Sequence, residues 1–89
     1  MTRHRAEPDP DAPLSDAEFE RGRTALLARR ARAATGLSQE AFAARYGFAL
    51  ACIRDWEQGR RRPDTAARSY LRVISAIPDA VADAMKRAG

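Results

Sequence analysis

Gln39-Glu40-Ala41-Phe42-Ala43-Ala44-Arg45-Tyr46-Gly47-Phe48-Ala49-Leu50-Ala51-Cys52-Ile53-Arg54-Asp55-Trp56 is the run that sets the architecture. Two helices that cross closely at a sharp turn make demands at fixed offsets. Ala43 is small where the helices must approach each other. Gly47 falls in the turn, where a positive φ costs little only in the absence of a Cβ. Phe48, Ile53 and Trp56 are apolar at the spacing that pins the second helix to the body. A random helical hairpin meets one or two of these conditions, and this stretch meets them all.

Working outward, Ser38 predicts the N-cap of a short helix that buries Phe42, Ala43 and Tyr46 and stops at Gly47. The next helix runs from about Ala49 to Gln58, with Gly59 as its end. Upstream, Ser15 followed three residues later by Glu18 has the spacing of a capping box. Phe19, Leu26, Leu27, Ala31 and Ala34 then recur at helical spacing until Gly36, and Gly22 weakens the first turns enough to let them fray. Downstream, Pro63 forces the chain out of helix at Arg62. Asp64 or Thr65 caps a fourth helix with Ala67, Tyr70, Leu71, Ile74 and Ile77 on one face. Pro78 suits the first turn of a fifth, which carries Val81, Ala84 and Met85. No strand-like alternation and no repeat occurs, so the fold class is all-α with five short helices. Residues 1–14, with Pro8, Pro10 and Pro13 among alternating charges, read as a disordered acidic leader, and residues 15–89 as one folded domain.

The chain has 89 residues, 45% of them hydrophobic and 31% charged, which suits one small globular domain with a thin core. Its net charge of +4 is unevenly laid out. Residues 1–20 carry two arginines against six carboxylates, whereas residues 21–89 carry fourteen basic groups against six acids. A compact basic body attracts polyanions, chiefly nucleic acid or an anionic membrane surface. The acidic leader either shields that body, docks on a basic protein, or only adds solubility. No apolar run matches a membrane span or a signal peptide. Cys52 is alone, which suits a reducing cytoplasm, and reads as a small filler. No nucleophile–histidine pair, glycine-rich phosphate loop or metal-ligand spacing is present, which argues against an enzyme and against a metal or other cofactor. His4 has no partner cysteine or histidine.

The run Thr35-Gly36-Leu37-Ser38-Gln39-Glu40-Ala41-Phe42-Ala43, then Gly47-Phe48, then Ile53-Arg54-Asp55-Trp56-Glu57-Gln58-Gly59-Arg60-Arg61-Arg62-Pro63, resembles the Xre/Cro/C1 family of phage-repressor-like helix-turn-helix domains over roughly residues 20–89. Within that family, the ending Trp56 to Pro63, followed by a helix and Pro78-Asp79-Ala80-Val81, resembles HigA-type antitoxins of bacterial toxin–antitoxin operons. The resemblance implies a five-helix lambda-repressor-like domain that reads a palindromic duplex as a homodimer in the bacterial cytoplasm, at the nucleoid. It further implies neutralisation of a RelE/HigB-like ribonuclease toxin and repression of its own operon. The alternative is a stand-alone Xre-type repressor with no toxin partner.

Roles follow position by position from the same resemblance. Gln39 meets the DNA backbone or a base edge, and Arg32 and Glu57 form an ion pair between the first and third helices. Ala49, Leu50, Ala51 and Cys52 depart from the family, which places a capping serine or threonine and polar readers there. Leu50 and Ala51 can meet only thymine methyl groups, and this leaves Arg54 as the base reader, two-pronged on guanine. Arg60, Arg61 and Arg62 are assigned to phosphate, the alternative being a solvated charge run. Arg29, Arg30 and Arg45 are weaker DNA candidates. Trp56 and Tyr46 read as core, with Tyr70 core or half-buried. Asp16, Glu18 and Glu20 are the expected contacts for a basic toxin, and Ile77, Val81 and Met85 for a second copy, or else they close the monomer core.

Overall fold

The computed structural model describes residues 15–89. Among them the chain forms five helices and no strand: α1 (Asp16–Thr35), α2 (Gln39–Tyr46), α3 (Leu50–Glu57), α4 (Thr65–Ala76) and α5 (Pro78–Ala88). The expectation of a disordered leader falls on residues 1–14 and lies outside the described residues.

Each boundary has a chemical cause. Ser15 and Glu18 close a reciprocal box: the Glu18 N–H donates to Ser15 Oγ at 3.1 Å, and the Ser15 N–H donates to Glu18 Oε1 at 2.9 Å. Ser38 accepts from the Ala41 N–H at 3.1 Å, and Asp64 from the Ala67 N–H at 2.8 Å. At the end of α2, Gly47 takes φ +82°, and the Gly47 and Phe48 N–H groups both donate to the Ala43 carbonyl. α4 passes into α5 through the single residue Ile77 (φ −138°, ψ 63°), and Pro78 opens the new helix.

α1 packs chiefly on α4 and α3, and α2 on α3 and α5. The core holds Ala28, Ala31, Phe42, Ala43, Tyr46, Ile53, Trp56, Leu71 and Ile74. Phe48 lies among three rings, with centroids 5.7 Å from Phe42, 5.5 Å from Trp56 in an edge-on contact, and 5.2 Å from Tyr70. Two phenols knit the rear of the domain: Tyr70 Oη donates to the Tyr46 carbonyl at 2.7 Å, and Tyr46 Oη to the Pro78 carbonyl at 3.0 Å.

The inner face of α1 differs from the sequence expectation. Phe19 and Leu26 are 53% and 46% exposed, and Ala34 also faces solvent, while Thr24, Ala25, Ala28 and Ala31 are buried. Small side chains let α1 lie close on two neighbours at once, and the bulkier residues are turned outward. Gly22 does not interrupt α1, which is continuous from Asp16. Ile77 does not extend the buried face of α4: the chain leaves the helix there, and the side chain is 53% exposed. On α5, Ala84 is exposed, and the half-buried Val81 and Ala82 make the packing contact. No helix among the described residues is long and apolar enough to cross a membrane.

Candidate nucleic-acid interface

α3 is anchored on one side only. Ile53, Trp56 and Glu57 are buried, while Ala51, Arg54 and Gln58 are exposed and Asp55 is half-buried. Ala51, Asp55 and Gln58, four and three residues apart, form the ridge opposite the anchors, and Arg54 flanks it on the α2 side. Trp56 is held edge-on by Phe48 and belongs to the core.

Glu57 ties α3 to α1 and α2. Arg32 grips it with two prongs, Nε to Oε2 at 2.7 Å and Nη2 to Oε1 at 2.9 Å, and spends Nη1 on the Leu37 carbonyl at 3.1 Å. Gln39 donates Nε2 to Glu57 Oε1 at 3.1 Å. Burial pushes the Glu57 carboxyl up, but the hydrogen bonds from Arg32 and Gln39, with the charges of Arg32 and Arg29, outweigh it. The group ends below the usual carboxylate range. The Glu57 hydrogen bond in turn holds the Arg32 guanidinium above its ordinary value, against desolvation. Gln39 is therefore part of this bracket, with one amide N–H committed inward and the other without a partner among the described residues.

The remaining predicted site residues are distributed as follows. Ala49 is exposed in an extended conformation (φ −73°, ψ 134°) and supplies no side-chain cap to α3. Leu50 and Cys52 are half-buried against the core, so Leu50 is not a free surface side chain, whereas Ala51 is. Arg54 Nη2 lies 3.2 Å from Glu40 Oε2 across the α2–α3 turn. Arg60 and Arg61 reach the two oxygens of Asp55 at 3.3 and 3.6 Å, and Arg62 lies 3.9 Å from Glu20. These guanidiniums are 55–66% exposed, so their remaining N–H groups can face a phosphate while the carboxylate contact is kept. Arg29, Arg30 and Arg45 are exposed.

Among the acids of α1, Asp16 is exposed, Glu18 is spent on the capping box, and Glu20 pairs with Arg23 and Arg62. The backbone and hydroxyl hydrogen bonds of Ser15 hold the exposed Glu18 carboxyl below its ordinary value. A groove of about 510 Å³ runs between this end of α1 and Arg60–Arg62. Ile77 and Met85 are exposed, and Val81 packs inward.

Sequence reasoning missed Asp55 and Gln58 as members of the outer ridge. Counting four and then three residues on from Ala51 finds both, but neither is a basic side chain, the type that charge patterning points to. Among known proteins, the chain matches no protein-family model, no curated protein sequence and no solved structure.

Proposed function

We propose that the chain binds double-stranded DNA sequence-specifically, with α2, the Gly47 turn and α3 acting as a repressor-type helix-turn-helix. The observation that carries the reading is α3 itself. Ile53, Trp56 and the bracketed Glu57 fix one side of it, while Ala51, Arg54, Asp55 and Gln58 stand outward beside three exposed arginines. A helix held rigidly on one face and bare on the other, next to a basic segment, fits reading in the major groove with phosphate contacts alongside. Two copies joined through Ile77 and Met85, with the neighbouring exposed Val73, would present two such ridges to a palindrome.

On the resemblance of the Trp56–Pro63 and Pro78–Val81 segments, the protein is the autoregulating antitoxin of a RelE/HigB-like ribonuclease toxin. One observation favours the stand-alone repressor instead: among the described residues, Glu18 and Glu20 are engaged within the chain, and Asp16 is the acid of the three assigned to a basic toxin with no partner there. Co-purification with the basic product of the adjacent gene, lost on deletion of residues 1–14, supports the antitoxin, and failure to bind that product removes it. The DNA reading is tested by titrating the protein with the duplex upstream of its own gene and with a scrambled duplex. Preference of roughly a thousandfold or more is expected at physiological salt. Equal weak binding to both overturns specific recognition.

A further inference from the structure

The outward ridge of α3 carries an acid where a DNA-facing surface should repel one. Asp55 stands between Ala51 and Gln58, with its side chain 23% exposed. Both carboxylate oxygens are matched to guanidiniums, Oδ1 to Arg60 Nη1 at 3.3 Å and Oδ2 to Arg61 Nη1 at 3.6 Å. The fold supports the arrangement, because the Arg60 N–H donates to the Asp55 carbonyl at 2.9 Å and turns the arginine segment back over the end of α3. The three side chains together carry one positive charge, so the cluster can approach phosphates that would drive off a bare carboxylate.

We infer that Asp55, neutralised by Arg60 and Arg61, reads cytosine by accepting a hydrogen bond from its N4 amino group; this rests on the DNA-binding reading above. An ionised carboxylate only accepts hydrogen bonds, and each oxygen holds two lone pairs, so a site remains on each after the arginine contacts. In the major groove, guanine offers N7 and O6 and thymine offers O4, all acceptors that repel a carboxylate. Adenine has an amino donor, but its N7 acceptor lies beside it. Cytosine presents its N4 donor with no acceptor of its own on that edge. Arg60 and Arg61 retain further N–H groups for the phosphates, so one cluster both reads and grips. Asp55 is thus a specificity-determining residue on a ridge whose preceding member, Ala51, has no hydrogen bond to offer.

The test is selection from a random duplex library with the full chain, followed by sequencing. The wild type should enrich a site containing a position where cytosine dominates. Asp55→Asn presents a donor beside an acceptor, the pattern that pairs with adenine, and should move that one position from cytosine to adenine. Asp55→Ala should level it, and in both variants the other positions should keep their preferences. A measurement on the wild type needs no variant to fold. Replacing the selected cytosine by 2-pyrimidinone, which lacks the amino group, should weaken binding roughly tenfold or more. If both variants keep cytosine, if all positions flatten together, or if 2-pyrimidinone binds as well as cytosine, the inference is overturned while DNA binding stands. If the wild type enriches no site at all, the DNA-binding reading falls and takes the inference with it.

Discussion

Glu57 is the residue at which stability and the candidate interface meet. Its carboxyl is 6% exposed and accepts from Arg32 twice and from Gln39 once. Glu57→Ala should strand a guanidinium that is still 30% exposed. The expected loss is about 2 kcal/mol or more, less than the ~3–5 kcal/mol of a fully buried pair, because water recovers part of the Arg32 charge. Chemical denaturation measures it. The same carboxyl sets an acid limb. Its folded pKa lies below the ordinary 4.5, so its contribution is complete above that value and is lost as pH falls through the lower, folded one. Denaturation curves from pH 7 downward should show the wild type losing stability faster than Glu57→Gln, which has no proton to take up there. Parallel curves would show that the pair contributes nothing in solution.

The elements differ in how well their ends and turns are finished, and three substitutions test that. Ser15, Ser38 and Asp64 all cap their helices from extended backbone, and Ala49 has much the same conformation with no oxygen to offer. Ala49→Ser should therefore raise stability by about 1 kcal/mol, read as a higher Tm. Glycines separate by conformation. A Cβ on Gly22 meets nothing within 4 Å inside α1, so Gly22→Ala should stabilise by about 1 kcal/mol. Gly47 has φ +82° and a Cβ there would sit 3.1 Å from Met85 Cε, so Gly47→Ala should cost about 1–2 kcal/mol. Equal effects at the two sites would contradict the turn geometry.

The helix ends were the part of the fold legible in the sequence, because caps and stops are local chemistry: Ser15, Ser38, Gly36, Gly47 and Pro78 act through neighbours a few residues away. The inner face of α1 was not legible. Hydrophobicity points to Phe19 and Leu26, but the close approach of α3 and α4 selects Ala25, Ala28 and Ala31, and only the tertiary arrangement shows which side is crowded. The Arg32–Glu57 pairing was expected from resemblance. Its third member, Gln39, and the capture of Asp55 by two arginines are contacts across 18 and five or six residues that no local pattern specifies.

For the whole molecule, charge is the property that acts at a distance. The segment from residue 21 onward carries a surplus of eight positive charges, and Arg60–Arg62 form an exposed part of it. If these arginines meet phosphates, affinity for any duplex should fall steeply with salt, and Arg62→Ala should reduce the log–log slope by about 1 without altering base preference. Titrations at four or five salt concentrations read this directly. An unchanged slope assigns Arg62 to its Glu20 partner instead. The thin core makes such surface substitutions informative, since none of these side chains contributes buried apolar area.

The hydroxyl of Tyr46 reaches the first residue of α5, a helix with no buried residue of its own. One end of that helix is therefore moored and the other is not. Pro78 is held by the phenol and Val81 and Ala82 by packing, while Lys86 onward is exposed. Deuterium uptake should run as a gradient along these eleven residues: slow amides near Val81 and Ala82 that open only when the domain does, and fast ones from Lys86 onward that open alone. Removing the Tyr46 hydroxyl should speed exchange at the Pro78 end and leave the packing at Val81 and Ala82, so that a single oxygen atom shifts how far cooperative unfolding extends into the last helix.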